Sequence, residues 1–103
     1  MTEPEWLGLL GLGARAGSVL VGTGAVREAL QSGTVRLVIV ASDRSPRTEE
    51  KVERLAVARQ VPLIRGPEAT VLGRRLGRET VQAAGVTDSK LAAGIRGKAS
   101  EDA

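Results

Sequence analysis

Hydrophobic and polar positions along the chain repeat with two different spacings, which predict alternating helices and strands. Helical spacing of apolar residues predicts a first helix over about residues 3–16, and the short apolar run at 18–21 predicts a strand. A second helix is predicted to end at Gly33, a typical C-terminal cap. The nearly continuous aliphatic run at 35–41 is typical of a strand covered on both faces.

The alternation continues through the second half of the chain. Ser45 and Pro46 predict the start of a third helix. Pro62 indicates that the strand predicted at 61–64 starts late or lies at a sheet edge. Gly77 ends a predicted fourth helix.

A last strand and a last helix complete the pattern. The strand is predicted over 80–86, and Thr87 or Asp88 is expected to cap the helix that follows. Strands that alternate with helices imply an α/β protein whose sheet is packed between helices. We therefore expect one domain over residues 1–96 and a flexible polar tail over 97–103.

The composition removes most catalytic and metal-binding chemistry. The 103 residues contain no Cys and no His, and Trp6 is the only aromatic residue. These absences exclude thiolate chemistry, histidine acid–base catalysis and the usual zinc sites, and they leave no set of rings for base stacking. Asp43, Glu79 and Asp88 lie near predicted loops, but no pattern brings two of them together. We expect no enzyme activity, no metal and no cofactor.

The charge is modestly positive and is carried mainly by arginine. The formal net charge is +3, with twelve Arg and three Lys. Arg can bind phosphate through two hydrogen bonds, although a genomic bias toward Arg codons explains the preference equally well. No apolar run reaches the roughly 20 residues that span a bilayer, and Glu3 and Glu5 stand where a signal peptide would be basic. We expect a cytoplasmic protein that does not bind membranes.

Two glycine-rich segments are similar to phosphate-binding sequences to different degrees. The segment 11–16 fits a loose GxGxxA dinucleotide pattern, but no strand precedes it, so close helix packing explains its glycines better. The turn 22–24 lies between a predicted strand and a predicted helix. A helix N-terminus there directs free N–H groups outward and favours phosphate, although a tight turn capped by Thr23 or Gly24 is an equal alternative.

A cluster of arginines lies further along the chain. Arg74, Arg75 and Arg78 fall on or beside an exposed face if Leu76 is the inward residue of the fourth helix. Three neighbouring cations repel one another unless an anion lies between them, which favours an anionic partner. An ordinary solvated surface is the alternative.

The order of these segments resembles one protein family. The strand and turn at 20–23, the run 37–43, the segment 61–64 and the helix end at 72–77 occur with matching spacing over about residues 5–96. This order is similar to the kink-turn-binding ribosomal protein superfamily, and specifically to its bacterial YlxQ/YbxF-like branch. The resemblance implies a three-layer α/β/α sandwich with a mixed four-stranded sheet.

The resemblance also implies where RNA would bind. Members of the superfamily bind RNA kink-turns with the glycine turn and the start of the second helix against tandem sheared G·A pairs. They hold an extruded nucleotide in the loop after the fourth helix. The predicted RNA-binding residues are those at 22–28 and 77–80 together with nearby arginines: Gly22, Thr23, Gly24, Ala25, Arg27, Glu28, Arg74, Arg75, Arg78, Glu79, Thr80 and Arg15.

The sequence departs from the superfamily at the positions whose side chains would contact the bases and phosphates of the RNA. The superfamily turn typically carries a polar pair such as Asn-Glu or Lys-Gln and then a Lys one helical turn later, where this chain has Gly24, Ala25 and Glu28. Gly24 and Ala25 have no side chain that hydrogen-bonds a base edge, and Glu28 would repel phosphate. Arg27 lies one position earlier than the Lys, about 100° around the helix, and would replace it only in part.

These observations predict a monomeric, non-catalytic RNA-binding protein whose contacts are mainly to phosphates. Its kink-turn specificity is expected to be relaxed, and structured RNA and the ribosome are the candidate partners. The first alternative is a protein-interaction module that kept the fold and lost RNA recognition. The second is an enzyme, or a detached substrate-binding domain of an RNA-modifying methyltransferase, although no cofactor motif or nucleophile is visible.

Overall fold

The computed structural model describes residues 3–102, and this part of the chain forms five helices and four strands. The third helix, α3, spans 46–58 and consists of an α-helical turn, a π-helical segment at Glu49–Glu53 and a second α-helical segment. In chain order the elements are α1 (Trp6–Arg15), β1 (Val19–Val21), α2 (Thr23–Ser32), β2 (Leu37–Val40), α3, β3 (Leu63–Arg65), α4 (Ala69–Arg75), β4 (Ala83–Val86) and α5 (Ser89–Asp102).

The four strands form one mixed sheet with the order β1-β4-β2-β3. β4 pairs antiparallel with both β1 and β2, whereas β2 and β3 are parallel. β3 lies at an edge and begins directly after Pro62, as the sequence predicted. The parallel pair requires α3 to cross from one strand to the next, so that α3 covers one face of the sheet.

Two apolar clusters lie on opposite faces of the sheet and produce three layers. Leu37 and Ile39 pack with residues of α1, α4 and α5. Val38 and Val40 pack with residues of α2 and α3 on the other face. All four side chains are fully buried, which confirms a strand covered on both faces and the α/β/α sandwich.

Gly13, in the segment 11–16, serves helix packing. The segment forms the second half of α1 and the turn after it, and the first described strand follows it along the chain. A Cβ atom added at Gly13 would lie 2.2 Å from a side-chain carbon of Leu91 in α5. The two helices therefore approach closely because Gly13 has no side chain, and the sequence predicted such packing in place of dinucleotide binding.

The last strand is shorter than the predicted segment 80–86. Val81 N–H donates to the Ala69 carbonyl, and the Gln82 carbonyl accepts a hydrogen bond from Ala41 N–H. These contacts hold the chain against the start of α4 and the end of β2 before it enters the sheet. β4 consequently begins three residues later than the sequence predicted.

Two acidic residues near the predicted loops cap helices, and Asp88 is one of the two caps that the sequence predicted for the last helix. Asp43 Oδ1 accepts a 2.8 Å hydrogen bond from Ala69 N–H at the start of α4. Asp88 Oδ2 accepts a 2.8 Å hydrogen bond from the first turn of α5. Thr87, the alternative cap, instead donates to the Ser18 carbonyl at 3.2 Å.

The final helix is longer than predicted. It includes residues 97–102, which the sequence analysis assigned to a flexible tail. Ala99 is partly buried against the apolar cluster around α1, and this contact supports helix beyond Gly97. The flexibility of the segment stays a prediction, and residue 103 lies outside the described residues. No helix within residues 3–102 is long and apolar enough to cross a membrane.

Candidate nucleic-acid interface

The N-terminus of α2 is open at one end of the sheet. Gly22, its N-cap, has φ 107° and ψ 149°, a backbone conformation that is essentially restricted to glycine. Gly22 N–H donates to the Ala83 carbonyl at 2.9 Å, which fixes the turn to β4, and its carbonyl accepts from Val26 N–H at 3.0 Å. No described side chain caps the helix, so the N–H groups of residues 23–25 are available to a ligand.

A hydrogen-bonded network attaches this turn to α3 and to the chain before β4. Thr48, the one buried polar residue among those described, donates from Oγ1 to Gln82 Oε1 at 2.8 Å. Because that bond uses the hydroxyl proton of Thr48, Thr23 Oγ1 must be the donor in the 3.3 Å contact between the two threonines. Ser45 N–H donates to the same Gln82 oxygen at 2.9 Å. Three segments are therefore held together at this end of the sheet.

Replacing Gln82 with alanine is expected to lower the free energy of unfolding by about 1–3 kcal/mol. The buried Thr48 hydroxyl and the Ser45 N–H would both lose their acceptor. Gln31→Ala is a matched control, because the Gln31 side chain is exposed and its removal should change stability by less than about 0.5 kcal/mol. Urea unfolding of both variants measures the difference, and equal midpoints would contradict a stabilising role for the network.

The start of α3 brings two cations to this end of the sheet. Ser45 Oγ accepts from Thr48 N–H at 3.3 Å and Pro46 occupies the first helical position, which confirms the predicted helix start. Arg47 follows directly and is exposed, and Lys51 lies one turn further along and is half-buried.

A surface cleft, here called the turn cleft, brings the two predicted RNA-binding segments together. It lies between the glycine turn, the start of α3 and the loop between α4 and β4. Arg78 and Thr80 line it from that loop, Gly22 and Thr23 line it from the turn, and Arg47 lines it from α3. Residues more than fifty positions apart in the sequence thus share one surface.

The loop that carries Arg78 packs closely against α4. Arg78 N–H donates to the Gly73 carbonyl at 2.8 Å. A Cβ atom at Gly73 would lie 2.6 Å from the Glu79 carbonyl oxygen, so this approach requires glycine. Gly77 has a φ of 72° and reverses the chain between the helix and the loop.

A second depression, here called the helix groove, runs between α2 and α3. The predicted residues Gly24, Arg27 and Glu28 lie along it, and Ala25 is exposed on the same helical turn. The upper part is lined by Thr23, Gly24, Arg27, Glu28, Gln31, Arg47 and Lys51, and the lower part by Arg27, Gln31, Glu50, Lys51, Arg54, Leu55 and Ala58.

The remaining predicted residues lie away from the turn cleft. Arg15 and Arg75 line a different depression beside α1, and Arg75 pairs with Glu3 at 3.4 Å. Arg74 and Glu79 are exposed at the end of α4 and in the loop after it. The structure therefore divides the predicted arginine cluster, and only Arg78 lines the turn cleft.

Four cations at the turn cleft and helix groove have no described carboxylate partner within ion-pair distance. Within residues 3–101, no Asp or Glu oxygen lies within 4.0 Å of the side-chain nitrogens of Arg27, Arg47, Lys51 or Arg78. Arg44, by contrast, pairs with two glutamates of α3. The four unpaired cations are available to an anionic ligand.

Sequence reasoning missed Arg47 and Lys51 as well as the positioning residues Thr48 and Gln82. One usable signal was present, since Arg47 directly follows the predicted helix start and Lys51 lies four positions further along. The position of that helix start beside the glycine turn depends on the strand order, which the spacing of residues does not reveal. Among the side chains of residues 3–101 no group of acidic residues is arranged to hold a metal ion.

The fold and this site define an α/β/α sandwich with an open helix N-terminus and a cationic cleft at one end of its sheet. The profile of the ribosomal protein L7Ae/L30e/S12e/Gadd45 family matches residues 5–93, and the chain belongs to this family. It is 34% identical over 92 residues to the RNA-binding protein YlxQ of Bacillus subtilis (strain 168), which covers 89% of this chain and 92% of that protein. The predicted superfamily and its YlxQ-like branch are thereby confirmed.

A second relative and two solved structures agree with this assignment. The chain is 33% identical over 64 residues to the RNA-binding protein BH0128 of Halalkalibacterium halodurans, covering 62% of this chain and 78% of that protein. A solved protein of unknown function from Bacillus halodurans has a TM-score of 0.87 and 34% identity, covering 93% of this chain and 97% of that chain. The Giardia lamblia 15.5kD RNA binding protein has a TM-score of 0.76 and 23% identity, covering 92% and 84%, and shows the shared fold. Family membership identifies a non-enzymatic protein, as the sequence predicted.

Proposed function

We propose that this protein binds structured RNA without catalysis, using the turn cleft and the upper helix groove, and that kink-turns are its preferred motif. One observation carries the proposal. The glycine turn and the Arg78 loop, predicted independently as phosphate-binding segments, line one cleft with unpaired cations and open N–H groups. The relatives named RNA-binding proteins support it.

The contacts are directed mainly at phosphates. The N–H groups of residues 23–25 and the side chains of Arg47 and Arg78 would position the RNA backbone. Thr80 lies beside them and would line the place of an extruded nucleotide, as the resemblance implies. Contacts of this kind fix orientation and carry little sequence information, so specificity for the kink-turn is weakened.

A protein-interaction module is the second candidate function. It is favoured by the first turn of α2, where Gly24 and Ala25 present no polar side chain and Glu28 adds a negative charge to the groove. The unpaired cations favour RNA, because an exposed Arg78 at the turn cleft has no described partner within the protein.

Fluorescence anisotropy titrations test the proposed function. The RNAs are a kink-turn and a control whose G·A pairs are replaced by Watson–Crick pairs, measured at several salt concentrations. We expect binding to both, a preference of about tenfold or less for the kink-turn, and affinity that falls steeply with salt. Arg78→Gln should reduce the salt slope by about 1, because one phosphate contact is lost.

Arg36→Gln provides the matched control for this measurement. Arg36 is exposed in the loop after the C-terminus of α2, at the opposite end of that helix from Gly22. The Arg36→Gln substitution removes the same charge from the chain as Arg78→Gln and leaves the turn cleft unchanged. Equal effects of the two substitutions would contradict the proposed site, and the absence of RNA binding by the wild type would favour the interaction module.

A further inference from the structure

We infer that RNA bound at the turn cleft continues along the helix groove, where Lys51 and Arg54 hold phosphates of a duplex that flanks the turn. The inference rests on the proposed function and extends it by assigning a second, sequence-independent RNA surface. It concerns the outward side of α3, which the predicted RNA-binding residues did not include.

The surface is continuous from the turn to the far end of α3. The turn cleft and the upper helix groove share Thr23 and Arg47. The upper and lower parts of the groove in turn share Arg27, Gln31 and Lys51. An RNA strand that leaves the glycine turn can therefore follow the boundary between α2 and α3.

Several cations follow one another along this path. Arg47 and Lys51 line the upper part of the groove, and Lys51 and Arg54 line the lower part, so the three lie on the same side of α3. Arg27 lies opposite Lys51 across the groove. A strand in the groove would thus pass these cations in succession.

The residues that line the helix groove carry a net positive charge, and the ion pair of Arg54 with Glu50 is weak. Arg54 pairs with Glu50 at 3.8 Å, but both side chains are largely exposed, with relative accessibilities of 79% and 69%, so water and salt weaken this pair. Four cations line the groove against two carboxylates, namely Arg27, Arg47, Lys51 and Arg54 against Glu28 and Glu50.

This assignment explains how the protein can bind RNA after losing polar side chains at the turn. Gly24 and Ala25 leave only backbone donors at the start of α2. Phosphate contacts along a flanking duplex add affinity regardless of base sequence, because every base pair presents the same backbone. Affinity would then depend on duplex length more than on the bases of the turn.

Two RNAs and two double variants test the inference. The RNAs share one kink-turn and carry flanking duplexes of about four or about twelve base pairs, so the longer one offers about three times as many flanking phosphates. Lys51→Gln/Arg54→Gln removes two cations from the groove. Arg36→Gln/Arg96→Gln removes two exposed cations elsewhere, from the loop after α2 and from α5. Thermal unfolding verifies that both double variants are folded, and anisotropy at several salt concentrations gives affinity and salt slope.

The expected result is a length-dependent loss. The groove variant should bind the long RNA about tenfold more weakly than the control variant, with a salt slope smaller by about 1.8, since two phosphate contacts are lost. On the short RNA the two double variants should differ less, because Arg54 then meets no duplex and only Lys51, in the upper groove, stays within reach of the RNA. Equal affinities of the two variants for the long RNA would overturn the inference. An acidic protein segment would then be the candidate ligand of the helix groove. If Arg78→Gln still weakens binding in that case, the proposed function stands, whereas a wild type that binds neither RNA overturns both.

Discussion

Replacing Gly73 with alanine is expected to lower the free energy of unfolding by about 1–3 kcal/mol and to weaken RNA binding strongly. The new Cβ would lie 2.6 Å from the Glu79 carbonyl oxygen and 2.8 Å from that of Arg78. Both contacts are with backbone atoms, so no change of side-chain rotamer relieves them. The loop 77–80 must move away from α4 and take Arg78 and Thr80 out of the turn cleft.

Gly8→Ala is the control for this substitution. Gly8 also lies inside a helix, but a Cβ there would meet no atom within 4 Å. The same chemical change should therefore stabilise α1 by about 0.5–1 kcal/mol, because alanine restricts the unfolded chain and favours helix. Urea unfolding and RNA titration of both variants measure the two effects. A Gly73→Ala protein with wild-type stability and affinity would show that the close approach of the loop is dispensable.

The element order and layers of this fold could be predicted because their signals are local. The run Leu37–Val40 is aliphatic at every position, and a strand with apolar residues on both faces must be covered on both faces. Gly33 adopts the left-handed conformation, with a φ of 74°, that a helix C-terminus requires. Pro62 delays an edge strand because proline has no N–H for the ladder.

The boundaries that were wrong depend on contacts between distant residues. β4 starts late because Gln82 binds the start of α3 and Val81 binds the start of α4. The last helix continues past Gly97 because Ala99 packs against the apolar cluster around α1. Neither set of contacts can be predicted from the residues that neighbour Val81, Gln82 or Ala99 in the sequence.

The site shows the same division between local and distant information. The turn at Gly22 and the loop at Arg78 each carry a local signal, and both line the turn cleft. Arg75 is three positions from Arg78, yet it lies beside α1, because α4 ends between them and the chain reverses at Gly77. Arg47 reaches the cleft only through the crossover that places α3 beside α2.

Restoring the superfamily side chains at the start of α2 is expected to produce the largest gain in specificity. The triple variant Gly24→Asn/Ala25→Glu/Glu28→Lys should increase discrimination between a kink-turn and its Watson–Crick control by about 100-fold. Each of the two base-contacting side chains is expected to contribute about 1–3 kcal/mol of discrimination between the two RNAs. A tenfold ratio of affinities corresponds to about 1.4 kcal/mol, so two such contacts give about 100-fold. The structure has room for them, because a Cβ at Gly24 meets no atom within 4 Å and the other two positions are exposed.

The single variant Glu28→Gln separates the effect of charge on affinity from the effect of base contacts on specificity. It removes a negative charge from the helix groove and adds no base contact, so affinity for the kink-turn and for the control RNA should rise equally. The triple variant should instead gain mainly on the kink-turn, with a salt slope that changes little beyond the effect of Lys at position 28. Equal gains on both RNAs would mean that the first turn of α2 faces the RNA backbone and not base edges. In that case phosphate binding, with no reading of bases at this turn, would describe how this protein recognises RNA.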